Sequence, residues 1–259
     1  MSTIATVGRV RLERVVSSEL IKLRTARSTV WAVISAALLV IAPGAFAAVG
    51  LVVQRAGLTD PLGGSLTGIS AASYAVAAFG VLTVSGEYSS GTIKTTFAAV
   101  PRRAQLVFGK AAAVAATVGT TMLAAVAVTY AVASAIVATD GLSLSLTAPG
   151  VARALVGAAL YLTGIALLGV AFGWLLRSTA GSLAALIGFL VVPSIVGVLL
   201  PDAAVVAYLP DKAGAAIMQL TTDGQSSGLL GPWAGLAVFA GYVAAILAGA
   251  ALLVRRRDA

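Results

Sequence analysis

Residues 151–176, VARALVGAALYLTGIALLGVAFGWLL, hold one charged side chain, Arg153, and otherwise aliphatic, small and aromatic residues with a lone threonine. A hydrocarbon core is roughly 30 Å thick, and about 20 mostly apolar helical residues cross it. The stretch therefore reads as a transmembrane helix. Five more runs fit the same template: Thr29 to Val53, Leu66 to Ser85, Ala111 to Ala138, Ala180 to Leu200 and Pro232 to Val254. In lipid the backbone must satisfy its own hydrogen bonds, which a helix does within one segment. Composition agrees, with 59% hydrophobic and only 10% charged residues, against roughly 25% charged in soluble domains. The expected class is an all-α integral membrane protein: residues 1–28 a cytoplasmic amphipathic helix, 29–254 a six-helix membrane region, 255–259 a basic tail.

Orientation follows from the basic residues. With the N terminus inside, Arg9, Arg11, Arg14, Lys22, Arg24 and Arg27 precede the first span. Lys94, Arg102, Arg103 and Lys110 lie between spans two and three, Arg177 between four and five, and Arg255, Arg256 and Arg257 after span six. Fourteen of the 17 basic residues fall on that side, leaving Arg55, Arg153 and Lys212 outside with Asp60, Asp140, Asp202, Asp211 and Asp223. Cytoplasmic segments carry such an excess. Both termini are expected in the cytoplasm of a multi-pass protein of the plasma membrane. The net charge of +8 is then charge facing anionic lipid, and nucleic acid is not an expected partner. The first apolar run begins only near Thr29 and is too long for a cleaved signal core, so it is expected to remain as the first span.

The chain contains no Cys and no His, which removes disulfides, thiolate nucleophiles, Cys/His zinc sites and Ser-His dyads. No acidic residue lies well inside a span, where ion-coupled carriers place a carboxylate. There is no G-x-x-x-x-G-K-[ST] phosphate loop: Gly109-Lys110 lacks the upstream glycine and is followed by Ala111. No catalytic residue, metal ligand or cofactor site is expected in this chain, and uphill transport would draw its energy from another chain.

Two cytoplasmic segments have more structure than a linker needs. Val10 to Arg27 patterns as an amphipathic helix, with Leu12, Val16, Leu20 and Leu23 on one face and Arg11, Arg14, Ser18 and Lys22 on another. Such a helix is expected to lie along the inner leaflet. Glu19 interrupts the apolar stripe. It either reaches headgroup water at the stripe's edge or pairs with a basic residue of the next inner loop, Lys94, Arg102, Arg103 or Lys110. That loop, residues 86–110, reads GEYSSGTIKTTFAAVPRRAQLVFGK. Ser89, Ser90 and Thr92 suit a helix N-cap and Gly91 a tight turn. Ile93 to Val100 would form a short helix with Ile93, Phe97 and Val100 on one side. Pro101 would end it and open the helix leading to span three. A plain basic turn at the membrane surface is the simpler alternative.

SELIKLRTARSTVW before the first span and the 86–110 sequence after the second resemble the permease subunits of type-2 ABC exporters, in the form common among actinobacteria. The resemblance spans residues 1–259 in layout. It implies a dimer of membrane subunits, identical or paralogous, on two cytoplasmic ATP-binding subunits that hold ATP and magnesium. It implies that the inner loop is a coupling helix resting on the ATPase. Glu87 matches the family's acidic residue after Gly, Gly91 and Thr92 the turn that starts the coupling helix, and Pro101, Arg102 and Arg103 the break before span three. Glu19, Lys22, Arg24 and Arg27 match the N-terminal signature. Glu87 is expected to pair with a nearby Arg. By the same resemblance the pathway runs between spans two and five of paired subunits, near Tyr74, Phe79, Phe189 and Pro193, which also suit ordinary helix packing.

The outer segment 201–231 is punctuated by Pro201 and Pro210 and followed by Pro232, with an apolar middle at Ala213 to Leu220 and a polar stretch Thr221 to Ser227. The resemblance implies a short helical excursion capping the outer mouth; a surface helix and loop that merely connects is the alternative. Gly169-x-x-x-Gly173 has helix-packing spacing, within the chain or across a dimer, and Pro43-Gly44 and Pro193 are candidate kinks. The leading expectation is an ATP-driven exporter permease for an amphiphilic or hydrophobic cargo. A non-transport membrane partner, such as an immunity or signalling protein with a permease-like layout, is the alternative. An intramembrane enzyme would need clustered acidic ligands on the spans.

Overall fold

The computed structural model describes residues 11–54, 66–100, 102–139, 141, 144–200, 204–220 and 230–256. Among them the chain is helical, with no strand. In order run α1 (Leu12–Thr25), α2 (Arg27–Gln54), α3 (Gly68–Ser89), α4 (Ile93–Ala99), α5 (Arg103–Ala138), α6 (Val151–Leu176), α7 (Thr179–Leu199), α8 (Pro210–Ala215) and α9 (Pro232–Arg256). The helices α2, α3, α5, α6, α7 and α9 are each long and apolar enough to cross a membrane. Their outward faces carry large apolar side chains: Trp31 is 68% exposed, Phe46 79%, Val198 78% and Trp233 69%. In water such surfaces would be an aggregation hazard; against lipid they are solvated.

Hydropathy placed the six helices but not all their ends. α5 begins at Arg103, in keeping with a helix expected to open near Pro101 and lead into the apolar run from Ala111. Ala104, Gln105 and Leu106 are good helix formers, and Lys110 is tolerated because it is paired. α3 runs on to Ser89 instead of stopping at Ser85. The break expected at Pro101 lies outside the described residues; α4 ends at Ala99 and α5 begins at Arg103.

α6 is the hub, packing against α3, α5, α7 and α9, while α2 covers α3 and α5. Lipid offers no hydrophobic gain between helices, so close van der Waals contact and small residues hold them together. At the α3/α6 crossing a Cβ on Gly80 would stand 2.1 Å from the Ala166 carbonyl oxygen, and one on Gly169 2.4 Å from that of Ala77. The backbones touch directly. Gly173 likewise faces Val81 and Val84, so the Gly169/Gly173 spacing serves packing inside this chain. Trp174, near the end of the same helix, is fully buried.

Ala26 is extended and makes the corner between α1 and α2. α1 lies along α5 and touches α2. Its inward face differs from the expected stripe: Val15, Glu19 and Leu23 are buried, whereas Leu12 is 44% and Ile21 62% exposed. Val16 and Leu20 are half-buried flanks. The helix is rotated so that Glu19, the residue that broke the pattern, points into the protein.

Candidate functional site: a ring of four charges and the short helix beside it

Lys110 Nζ of α5 lies 2.5 Å from Glu19 Oε2 and 2.9 Å from Glu87 Oε1 of α3. Lys22 Nζ of α1 closes the ring, 2.6 Å from Glu19 Oε1 and 3.1 Å from Glu87 Oε1. The Glu19 side chain is 2% exposed, Lys110 3%, Glu87 15% and Lys22 47%. Ionised groups persist at such burial only when paired and hydrogen-bonded. Burial by itself would raise the Glu19 carboxyl, but the attraction and hydrogen bonds of Lys110 and Lys22 outweigh it and hold the group below its ordinary range. For Lys22 burial pulls downward, and the two carboxylates outweigh it and push the ammonium upward.

Backbone packing makes the ring possible. A Cβ on Gly109 would stand 2.6 Å from Val15 Cγ1, so α1 lies almost on the α5 backbone beside Lys110. Of the partners weighed for Glu19, the structure selects Lys110. Lys94 and Arg102 are exposed, and Arg103 stacks on Phe97, its guanidinium carbon 5.1 Å from the ring centroid. Glu87 pairs with two lysines rather than with an arginine: the helical run from Arg103 sets Lys110 two turns deeper than Arg102 and Arg103, level with the end of α3. Arg24 and Arg27 are exposed and outside the ring. Glu87 Oε2 is buried with no partner among the described residues.

Two residues past α3, Gly91 takes φ +73°, the left-handed region glycine enters without strain. Thr92 is the N-cap of α4, as its residue type suggested, but its side chain does not cap. With helical backbone angles (φ −67°, ψ −15°) it instead meets the Ser90 hydroxyl at 2.9 Å. Ile93 and Val100 are buried, and Phe97 packs on Trp174 of α6 with centroids 6.3 Å apart. Trp174 in turn meets Tyr88 edge-on at 6.0 Å. Arg177, in the left-handed region at φ +54°, ends α6 and stacks over Tyr88 at 5.5 Å. So the expected inward face of α4 is the buried one, with Phe97 on the end of α6, and Lys94, Thr95, Ala98 and Ala99 face outward, exposed. Tyr88, Trp174 and Arg177 were missed in the sequence. An aromatic at the end of a span reads as an interfacial anchor, and nothing local marks Trp174 as the floor beneath α4.

The four pathway candidates do not form one wall within the chain. Phe79 is buried and lines a cavity with α1 and α2 residues, while Tyr74, on the same helix, is 47% exposed. Phe189 packs between Phe172 and Tyr242, 5.7 and 6.0 Å away. Pro193 lies within an unbroken α7, as Pro43 does within α2.

The segment between α7 and α9 folds back against the helices where it is described. Ala204–Tyr208 and Ala216–Met218 are 3-10 turns flanking α8, and Pro210, Ala213, Gly214, Ala216 and Ile217 are buried. Tyr242 donates to the Tyr208 carbonyl at 3.2 Å, and Tyr242 lies ten residues into α9, roughly 15 Å along its axis at 1.5 Å per residue. Ser194 of α7 donates to Asp211 Oδ2 at 2.6 Å, and Arg153 donates to the Gln219 carbonyl. Helical turns here were expected; a segment folded back between helices was not. The polar stretch Thr221 to Ser227 lies outside the described residues.

Among the described residues no group of three or more carboxylates converges as metal ligands would. Compared with models of protein families and with curated protein sequences, the chain matches none.

Proposed function

We propose that this chain is the membrane-spanning permease subunit of an ATP-driven exporter of the type-2 ABC class. On this reading it works as a pair with an identical or paralogous subunit. α4 is the surface on which a cytoplasmic ATPase carrying ATP and magnesium rests, and the termini and α4 share the cytoplasmic side. α1 lies at the inner membrane interface, with Leu12 and Ile21 toward lipid and Arg24 and Arg27 toward headgroups. The observation that carries the reading is α4 itself: a helix of 7 residues, too short to be stable alone, is held with Ile93 and Val100 buried and Phe97 packed on Trp174 of α6, a few residues after Glu87 of the four-charge ring. A mere connection between two spans would need none of this. Such a mount transmits a push on the exposed face of α4 to α3 and α6 together. The cargo is amphiphilic or hydrophobic, in keeping with the apolar helices.

The test is purification from native membranes in mild detergent, with mass spectrometry of every soluble protein that co-elutes. A stoichiometric partner bearing a phosphate-binding loop is expected. If none is found even after gentle crosslinking, the exporter reading fails and a non-transport membrane partner takes its place.

A further inference from the structure

Between α1, α2 and α3 lies a half-open cavity of about 290 Å³. The charge ring forms one end of it and apolar side chains the other. Its polar end includes Lys22, Glu87, Ser28 and Thr29, and its apolar wall includes Phe79 and Leu82. Leu82 is 49% exposed, so this wall continues onto the outer surface of the bundle. The space suits a headgroup and the start of an acyl chain, with the rest of the chain along the helices.

The polar groups specify the headgroup. An ammonium has three N–H donors, and Lys22 spends two, on Glu19 and Glu87. The Ser28 and Thr29 hydroxyls make no intramolecular hydrogen bond among the described residues. These donors suit a phosphate. Glu87 offers the opposite: its Oε2 is buried and takes no donor, and a buried acceptor left unpaired is costly. The ring holds two positive and two negative charges, so a purely anionic head would leave the cavity negative, whereas a zwitterion would not.

We infer that the cavity binds one aminophospholipid, its phosphate on Lys22, Ser28 and Thr29, its primary ammonium on Glu87, and an acyl chain over Phe79 and Leu82. This requires only that the chain sits in a bilayer, and it stands whether or not an ATPase docks on α4. Native mass spectrometry of the full chain tests it, with equimolar phosphatidylethanolamine, phosphatidylcholine and phosphatidylglycerol of identical acyl chains. One retained phosphatidylethanolamine per chain is expected, roughly tenfold over phosphatidylcholine, whose quaternary head has the same charge but no N–H to donate. Leu82→Trp fills the cavity mouth without touching the ring and is expected to abolish retention. Glu87→Gln is expected to reduce the preference over phosphatidylcholine. Equal retention of the ethanolamine and choline lipids, stronger retention of phosphatidylglycerol, or a Leu82→Trp variant that still holds its lipid would each overturn the inference.

Discussion

Lys110→Met keeps the length of the side chain and removes the charge that ties α5 to α1 and α3. Glu19 and Glu87 would then share one ammonium, Lys22, which is 47% exposed and so binds each less firmly. Removing one partner of a buried ion pair costs about 3–5 kcal/mol. Because Lys22 still sits 2.6 Å from Glu19, the lower end, about 3 kcal/mol, is expected. Glu19→Gln leaves Lys110 with Glu87 alone and is expected to cost about 2–3 kcal/mol. The double variant restores neutrality, with Lys22 facing Glu87. It is therefore expected to be less destabilised than the sum of the single variants by about 1–3 kcal/mol. Equilibrium unfolding in mixed micelles, followed by tryptophan fluorescence to which buried Trp174 contributes, measures all four proteins. Additivity within about 0.5 kcal/mol, or a cost below about 1 kcal/mol for Lys110→Met, would refute the view that the ring acts as a unit.

Gly80→Ala is expected to destabilise by about 1–3 kcal/mol, because its methyl would meet the Ala166 carbonyl at 2.1 Å. Gly86→Ala, on the same helix with nothing within 4 Å, is expected to be neutral or stabilising in the same unfolding assay. Glu87→Ala is expected to leave the protein inserted and bound to its ATPase while separating ATP hydrolysis from cargo movement, read by paired ATPase and transport assays in proteoliposomes; unchanged transport would remove that role. Thr95→Asp, on the exposed face of α4, is expected to abolish ATPase co-purification with helix content intact by circular dichroism. The pH dependence follows from the ring. The Glu19 pKa is depressed, so its contribution is complete above its ordinary 4.5 and is lost as pH falls through the lowered value. The Lys22 pKa is raised, so its contribution is complete below 10.5 and is lost as pH rises through the raised value. A stability plateau between those limits is expected, and Glu19→Gln should flatten its acid side.

The number and type of the long helices were legible because hydropathy over about 20 residues is a strong signal. The short α4 was legible from Gly91 and the Ile93, Phe97 and Val100 spacing. Charges were legible only in part: Lys110 stood among the four partners weighed for Glu19, but nothing in the sequence pattern singled it out from Lys94, Arg102 and Arg103. Lys110 is inside α5 and Glu19 inside the bundle because each makes the other's burial tolerable, a pairing 91 residues apart in sequence. The inward fold of Ala204–Met218 had no distinct signature, since small apolar residues between prolines suit a surface helix equally well. Phe79 and Phe189 share an aromatic type, yet they pack in different places, which residue type alone does not reveal.

The ring also sets an order of events during synthesis. At about 5–20 residues per second, roughly 5–18 s pass between the making of Glu19 and of Lys110. Throughout that interval α1 has no buried seat, and Glu19 has one cation within reach on its own helix, Lys22, three residues on. Lys22 thus shelters the carboxylate until α5 arrives. α1, made before α5, completes its packing only once Lys110 of α5 exists.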